Sequence, residues 1–132
     1  DCQVEGSIME FDNETNKRIE ELRTLESYLQ NFLAQKQSFQ IELNEIDNAI
    51  SELKKHNDDV YKIISGIMIK SKREDIAKEL GARKEIAEMK VKSIEKQEEL
   101  IGNKASELRR EIINSITEGQ IRGESKKKNT LK

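Results

Sequence analysis

Large apolar side chains recur in alternating steps of three and four along the first half of the chain: Leu22, Leu25, Leu29, Phe32, Lys36, Phe39, Leu43, Ile46, Ile50 and Leu53. Only Lys36 breaks the row. A 3.5-residue repeat is the period of a coiled-coil seam, in which each apolar residue inserts between residues of a facing helix, and not merely of an amphipathic surface helix. This constrains the chain more than any other feature, because a seam of this length requires a partner helix. Asp12 or Asn13 is placed to cap its start. Its end is expected at Lys54-Lys55-His56, whose charges complement the negative end of a helix.

A partner is present in the same chain. A second row of 3.5-residue period runs through Ala77, Leu80, Lys84, Ala87, Val91, Ile94, Glu98, Ile101, Ala105, Leu108 and Ile112. Ser71-Lys72-Arg73-Glu74 fits a capping box, so the second helix is expected just after Ser71 and is expected to fade between Ile116 and Gly119. Gly81 and Gly102 inside it mark either close packing or local give. An antiparallel fold-back brings Phe39 level with Ile94, Phe32 with Ile101, Leu25 with Leu108 and Ile46 with Ala87, so that large residues often meet smaller ones. The same register sets Lys36 opposite Glu98, a pair of the kind that fixes register more than it stabilises.

Composition agrees with an extended helical protein. Charged residues make up 38% and hydrophobic ones 34%, too little apolar material for a large globular core, and there is no Pro or Trp. The formal net charge is -2, from 24 basic and 26 acidic side chains interspersed along the chain, so no global field draws in nucleic acid or an anionic membrane. No apolar run is long enough to span a bilayer, and the first fifteen residues do not read as a signal peptide. Cys2 is the one cysteine and has no internal partner, which fits a reducing, cytoplasmic setting. The chain is read as a leader over 1–13, a coiled coil over 14–118 and a basic, disordered tail over 119–132.

The fold-back segment Val60-Tyr61-Lys62-Ile63-Ile64-Ser65-Gly66-Ile67-Met68-Ile69-Lys70-Ser71 is longer and more apolar than a helical hairpin needs. Two β-branched runs around Ser65-Gly66 read as a β-hairpin with a tight turn, the alternative being a bent apolar linker packed on the coil end. Two strands alone are marginally stable in water, so such a hairpin implies other subunits adding strands to a shared sheet or barrel. Val60, Tyr61, Ile63, Ile64, Ile67, Met68 and Ile69 are the candidate oligomerisation residues.

From about residue 19 to 117 the chain resembles the β-type subunits of prefoldin. The resemblance rests on helix, hairpin and helix in that order, on Val60-Tyr61-Lys62 and Ile69-Lys70 in the hairpin, and on the helix start Lys72-Arg73-Glu74-Asp75. Ile69 stands where the family has Val, and Ser65 where it has Gly, with Gly66 following. The resemblance implies a mainly α fold, a long antiparallel two-helix coiled coil with a β-hairpin between the helices that joins an intersubunit β-barrel. It implies further a hetero-hexamer of two α-type and four β-type subunits, which holds unfolded client proteins at the coil tips and passes them to a group II chaperonin without ATP.

Apolar residues at the free coil ends fit such a role. Ile19, Ile113 and Ile116 are out of step with the seams, and Met9 and Phe11 lie in the leader; Leu22, Leu25, Leu108 and Ile112 join them if the end frays. Together these are the candidate client-binding residues. A structural tether or oligomerisation coil is the alternative reading. No phosphate-binding glycine loop and no His/Cys spacing for a metal occurs, so neither cofactor nor enzymatic activity is expected.

Overall fold

The computed structural model describes residues 12 to 130, with side chains described to residue 119. Four elements follow one another: α1 (Asn13–Lys55), β1 (Val60–Ile64), β2 (Ile67–Ser71) and α2 (Arg73–Thr130). Both seams form. Every seam position of α1 is buried or half-buried, Leu25 and Ile46 most deeply, and so is every position of the α2 seam except Ala77, which is exposed. Ala77 lies in the first turns of α2, where the half-buried Ile76 and Leu80 take up the apolar face instead.

Asp12 starts α1. Its Oδ1 accepts a 2.7 Å hydrogen bond from the Thr15 backbone N–H, one of the donors a helix start leaves without a partner. Hydrogen bonding from Thr15 holds the Asp12 carboxyl below its ordinary range. At the other end of α1 the basic pair Lys54-Lys55 occupies the last turn, as the helix dipole favours.

The start of α2 departs from the capping box expected at Ser71. Ser71 closes β2, where its hydroxyl donates to the Ile69 carbonyl, and the first carbonyl to accept helical bonds is that of Lys72, from the backbone N–H groups of Asp75 and Ile76. Strand pairing of Ser71 with Val60 holds the residue in extended geometry, and a cap one residue later is the consequence. The end of α2 departs too. Its backbone is helical to Thr130, beyond the Ile116–Gly119 stretch where the sequence predicts it to fade. With no Pro there to remove a backbone donor, and Gln, Arg, Glu and Lys that favour helix, Gly119 and Gly123 do not stop it.

The chain divides into two units. The first comprises residues 1–31 and 98–132, and the second residues 32–97 with the hairpin. In the first, Leu25, Ala105 and Ile112 form the buried seam, and Arg109 reaches across the coil to Glu26 at 3.4 Å. In the second, Ile46, Ala87, Val91 and Ile94 are buried; Lys84 pairs with Asp47 at 2.8 Å and Arg83 with Glu42 at 3.5 Å. Partner numbers rise on α2 as they fall on α1, from Asp47–Lys84 to Phe39–Lys90 in the second unit and from Glu26–Arg109 to Arg18–Glu111 in the first, so the helices run antiparallel in each unit. Ile46 and Ala87, expected level with each other, are both 2% exposed. The Phe39 ring carries the Lys90 ammonium 5.3 Å above its centre, one turn of α2 before Ile94. Lys36 and Glu98, expected opposite each other, are both half-buried as seam positions should be.

Candidate functional site

Two surfaces match the residues singled out by the sequence. The first is the hairpin. β1 and β2 pair antiparallel, with Ile63 opposite Met68 and Ile64 opposite Ile67, around the two-residue turn Ser65-Gly66. Both turn residues have positive φ, 49° and 80°, as in a type I′ turn, whose twist matches that of the flanking strands. Side chains alternate between two faces. Tyr61, Ile63 and Met68 share one and Ile64, Ile67 and Ile69 the other, and all six are exposed, Ile63 by 71%. Val60, at the base of β1, is half-buried.

The hairpin is held to its own coil at the base. Lys62 bonds Glu79 of α2 at 2.8 Å, and the Arg73 guanidinium donates to the backbone carbonyls of Leu53 and Asp58, tying the end of α1 and the connecting segment to the start of α2. Beside these contacts lies an open hollow of about 450 Å³ over Leu53, Val60, Ile76 and Leu80. His56 on its rim lies 3.0 Å from Glu52. The strands therefore project apolar surface that two strands cannot bury by themselves, from a base that is fixed.

The second surface is the unit made by the start of α1 and the end of α2. Of the candidate client-binding residues, Leu25 and Ile112 lie in the buried seam, each 8% exposed. Ile19, Leu22, Leu108 and Ile116 are half-buried, and Ile113 is 62% exposed. Met9 and Phe11 lie outside the described residues. Sequence reasoning missed Thr15, Arg18, Glu111 and Ser115. Thr15 is 3% exposed, and Arg18 donates to Ser115 Oγ at 3.3 Å and pairs with Glu111 at 3.5 Å. Carrying the three-and-four steps past Leu22 to Arg18 and Thr15, and past Ile112 to Ser115, would have found three of them. The seam ends in polar residues.

Comparison with known proteins decides the family. The model of the prefoldin subunit family matches residues 16–118. The chain belongs to the prefoldin family. It is 33% identical over 104 residues to prefoldin subunit beta of Caldivirga maquilingensis, covering 77% of this chain and 86% of that one. It is 32% identical over 118 residues to prefoldin subunit beta of Pyrobaculum islandicum, covering 88% and 89%. Among solved structures, the crystal structure of the prefoldin beta subunit from Thermococcus strain KS-1 superposes with a TM-score of 0.73 at 27% identity, over 79% of this chain and 93% of that one.

Prefoldin subunits are chaperone components, and in the prefoldin β fold the hairpin joins a β-barrel built between subunits. Among the described residues no group of three or more His, Cys, Asp or Glu is placed to hold a metal ion, and no helix is long and apolar enough to cross a membrane.

Proposed function

We propose that this chain is the β-type member of a cytoplasmic prefoldin hexamer of two α-type and four β-type subunits, which holds unfolded polypeptides at the coil tips and delivers them to a group II chaperonin without nucleotide. The observation that carries the assembly is a hairpin whose two faces are both apolar and exposed, in a chain of the prefoldin family. Val60, Tyr61, Ile63, Ile64, Ile67, Met68 and Ile69 are its contact residues. Neighbouring hairpins pair with its open strand edges and cover these side chains.

Client holding falls to the first unit. Ile113 offers exposed apolar surface, joined by the half-buried Ile19, Leu22, Leu108 and Ile116, and Leu25 and Ile112 contribute when the coil end frays. Met9 and Phe11 of the leader complete the candidate set. Apolar contact is non-directional and scales with area, at roughly 25 cal/mol per Å², so one such patch binds many sequences weakly. Several patches on one assembly multiply into useful avidity by effective concentration.

The test removes residues 1–25 and 108–132 and co-assembles the remainder with an α-type subunit. The hairpin belongs to the other unit. The expected result is an assembly of hexameric stoichiometry that no longer suppresses aggregation of a denatured client. Full protection by the truncated assembly would place the client surface elsewhere.

A further inference from the structure

We propose that Arg18 is a positioning residue for client capture: its hydrogen bond to Ser115 and ion pair with Glu111 clasp the end of the coil shut over isoleucines that bind clients when the clasp opens. The proposal rests on the reading of the coil end as the client site.

Three observations converge on the clasp. Arg18 and Ser115 occupy the seam positions that follow Leu22 and Ile112, where continued apolar packing would have sealed the end permanently. A guanidinium joins the two helices there instead, 3.5 Å from Glu111 Oε2 and 3.3 Å from Ser115 Oγ. Each of the three clasp residues also precedes an isoleucine in sequence: Arg18 precedes Ile19, Glu111 precedes Ile112, and Ser115 precedes Ile116. With the clasp formed, Ile112 is 8% exposed and Ile19 and Ile116 are half-buried, whereas Ile113, which follows no clasp residue, is 62% exposed. Separating Arg18 from α2 frees the backbone positions that carry all three covered isoleucines.

The chemistry sets how tightly the clasp holds. The Arg18 and Glu111 side chains are 35% and 45% exposed, so solvent screens their attraction and the closed state is favoured only modestly. A leucine in place of Arg18 would close the end by apolar contact that salt does not screen, and an alanine would leave it open. Arginine serves because its planar fork bonds the carboxylate and the hydroxyl together, which a lysine ammonium on a flexible stem does less well. A client that binds only the open end has its affinity reduced by the fraction of ends that are open.

The experiment uses the full-length chain assembled with its α-type subunit. Binding of reduced, carboxymethylated α-lactalbumin, a permanently unfolded polypeptide, is measured beside amide hydrogen exchange over residues 108–116. Arg18→Ala is expected to speed exchange about two- to fivefold, the range for losing a screened ion pair, and to tighten client binding by the same factor. Arg18→Lys should fall between the two. The charge swap of Arg18→Glu with Glu111→Arg restores the ion pair and should bring exchange and affinity back toward the native values, a recovery that also shows the single variants to be folded. Faster exchange with unchanged or weaker client binding would overturn the proposal, leaving Arg18 a stability element or a client contact. Unchanged exchange would overturn it too. If the native assembly binds no unfolded polypeptide, the client-site reading fails before any variant is compared.

Discussion

Lys84 Nζ lies 2.8 Å from Asp47 Oδ1 across the coil, at an α2 seam position that a coiled coil ordinarily fills with an apolar side chain. Lysine suits such a position because its stem is apolar while its ammonium reaches the rim of the interface, and Lys84 is half-buried. Hydrogen bonding to Asp47, followed by that carboxylate's charge, raises the Lys84 pKa above its ordinary 10.5. A raised cation stabilises the fold wherever the unfolded chain is also protonated. That contribution is therefore fully present below the unfolded pKa and disappears as pH climbs through the folded value. Asp47→Asn should return the Lys84 titration toward its ordinary position and flatten the alkaline limb of a stability profile, measured by urea unfolding between pH 8 and about pH 11. An identical alkaline limb in the variant would show that the pair carries no linkage.

Gly81 and Gly102 sit inside α2 with nothing within 4 Å of where a β-carbon would stand. Close packing does not explain them, and neither has the positive φ that would favour glycine. Alanine at either position should raise stability by about 0.5–1 kcal/mol, through the smaller backbone entropy lost on folding. Thermal unfolding of the single and double variants checks this. A fall in the midpoint would show that the glycines serve bending or a partner's close approach.

The hairpin turn invites the opposite kind of change. Ser65 holds φ at 49° with a β-carbon attached, a conformation that asparagine and glycine adopt more readily. Ser65→Asn makes the Asn-Gly pair favoured in type I′ turns and should stabilise the hairpin by several tenths of a kcal/mol. Gly66→Ala, at φ 80°, should weaken it by more. Amide exchange of Ile64 and Ile67, which flank the turn, reads both effects.

Much of the fold is legible in the sequence because periodicity reports packing directly. A residue that faces a partner helix must recur every 3.5 positions, so spacing alone marks Leu25, Ile46, Val91 and Ile94 as buried. The turn is legible for a similar reason, since Ser65-Gly66 between two β-branched runs leaves few other conformations. Ser71 is not legible as the end of a strand. Its three-residue spacing to Glu74 fits a cap, but pairing with Val60 competes for the same residue, and that competition is tertiary. The run of α2 to Thr130 is hidden by Gly119 and Gly123, which weaken a helix without removing a hydrogen-bond donor. The clasp escapes a seam defined by apolar residues alone, because Arg18 and Ser115 continue that seam by hydrogen bonding.

The hairpin's role in assembly gives the last prediction. Ile63 and Ile69 lie on opposite faces of the two strands, exposed by 71% and 45%. Neither contributes a buried side chain to its own subunit, so replacing both with lysine removes little from the fold of the isolated chain. In a barrel, each lysine would place an ammonium where a neighbouring hairpin buries apolar surface, and an unpaired buried charge is costly enough to open an interface. The strand edges would also repel one another, as edge lysines do in natural sheets that avoid pairing. The double variant Ile63→Lys with Ile69→Lys, mixed with an α-type subunit, should sediment as smaller species while its far-ultraviolet helical signal stays close to native. The single variants should be intermediate, and the face whose substitution releases more subunits is the one turned into the barrel. An assembly mass equal to that of the native mixture would show that the subunits are joined through the coils and that the exposed isoleucines serve something other than assembly.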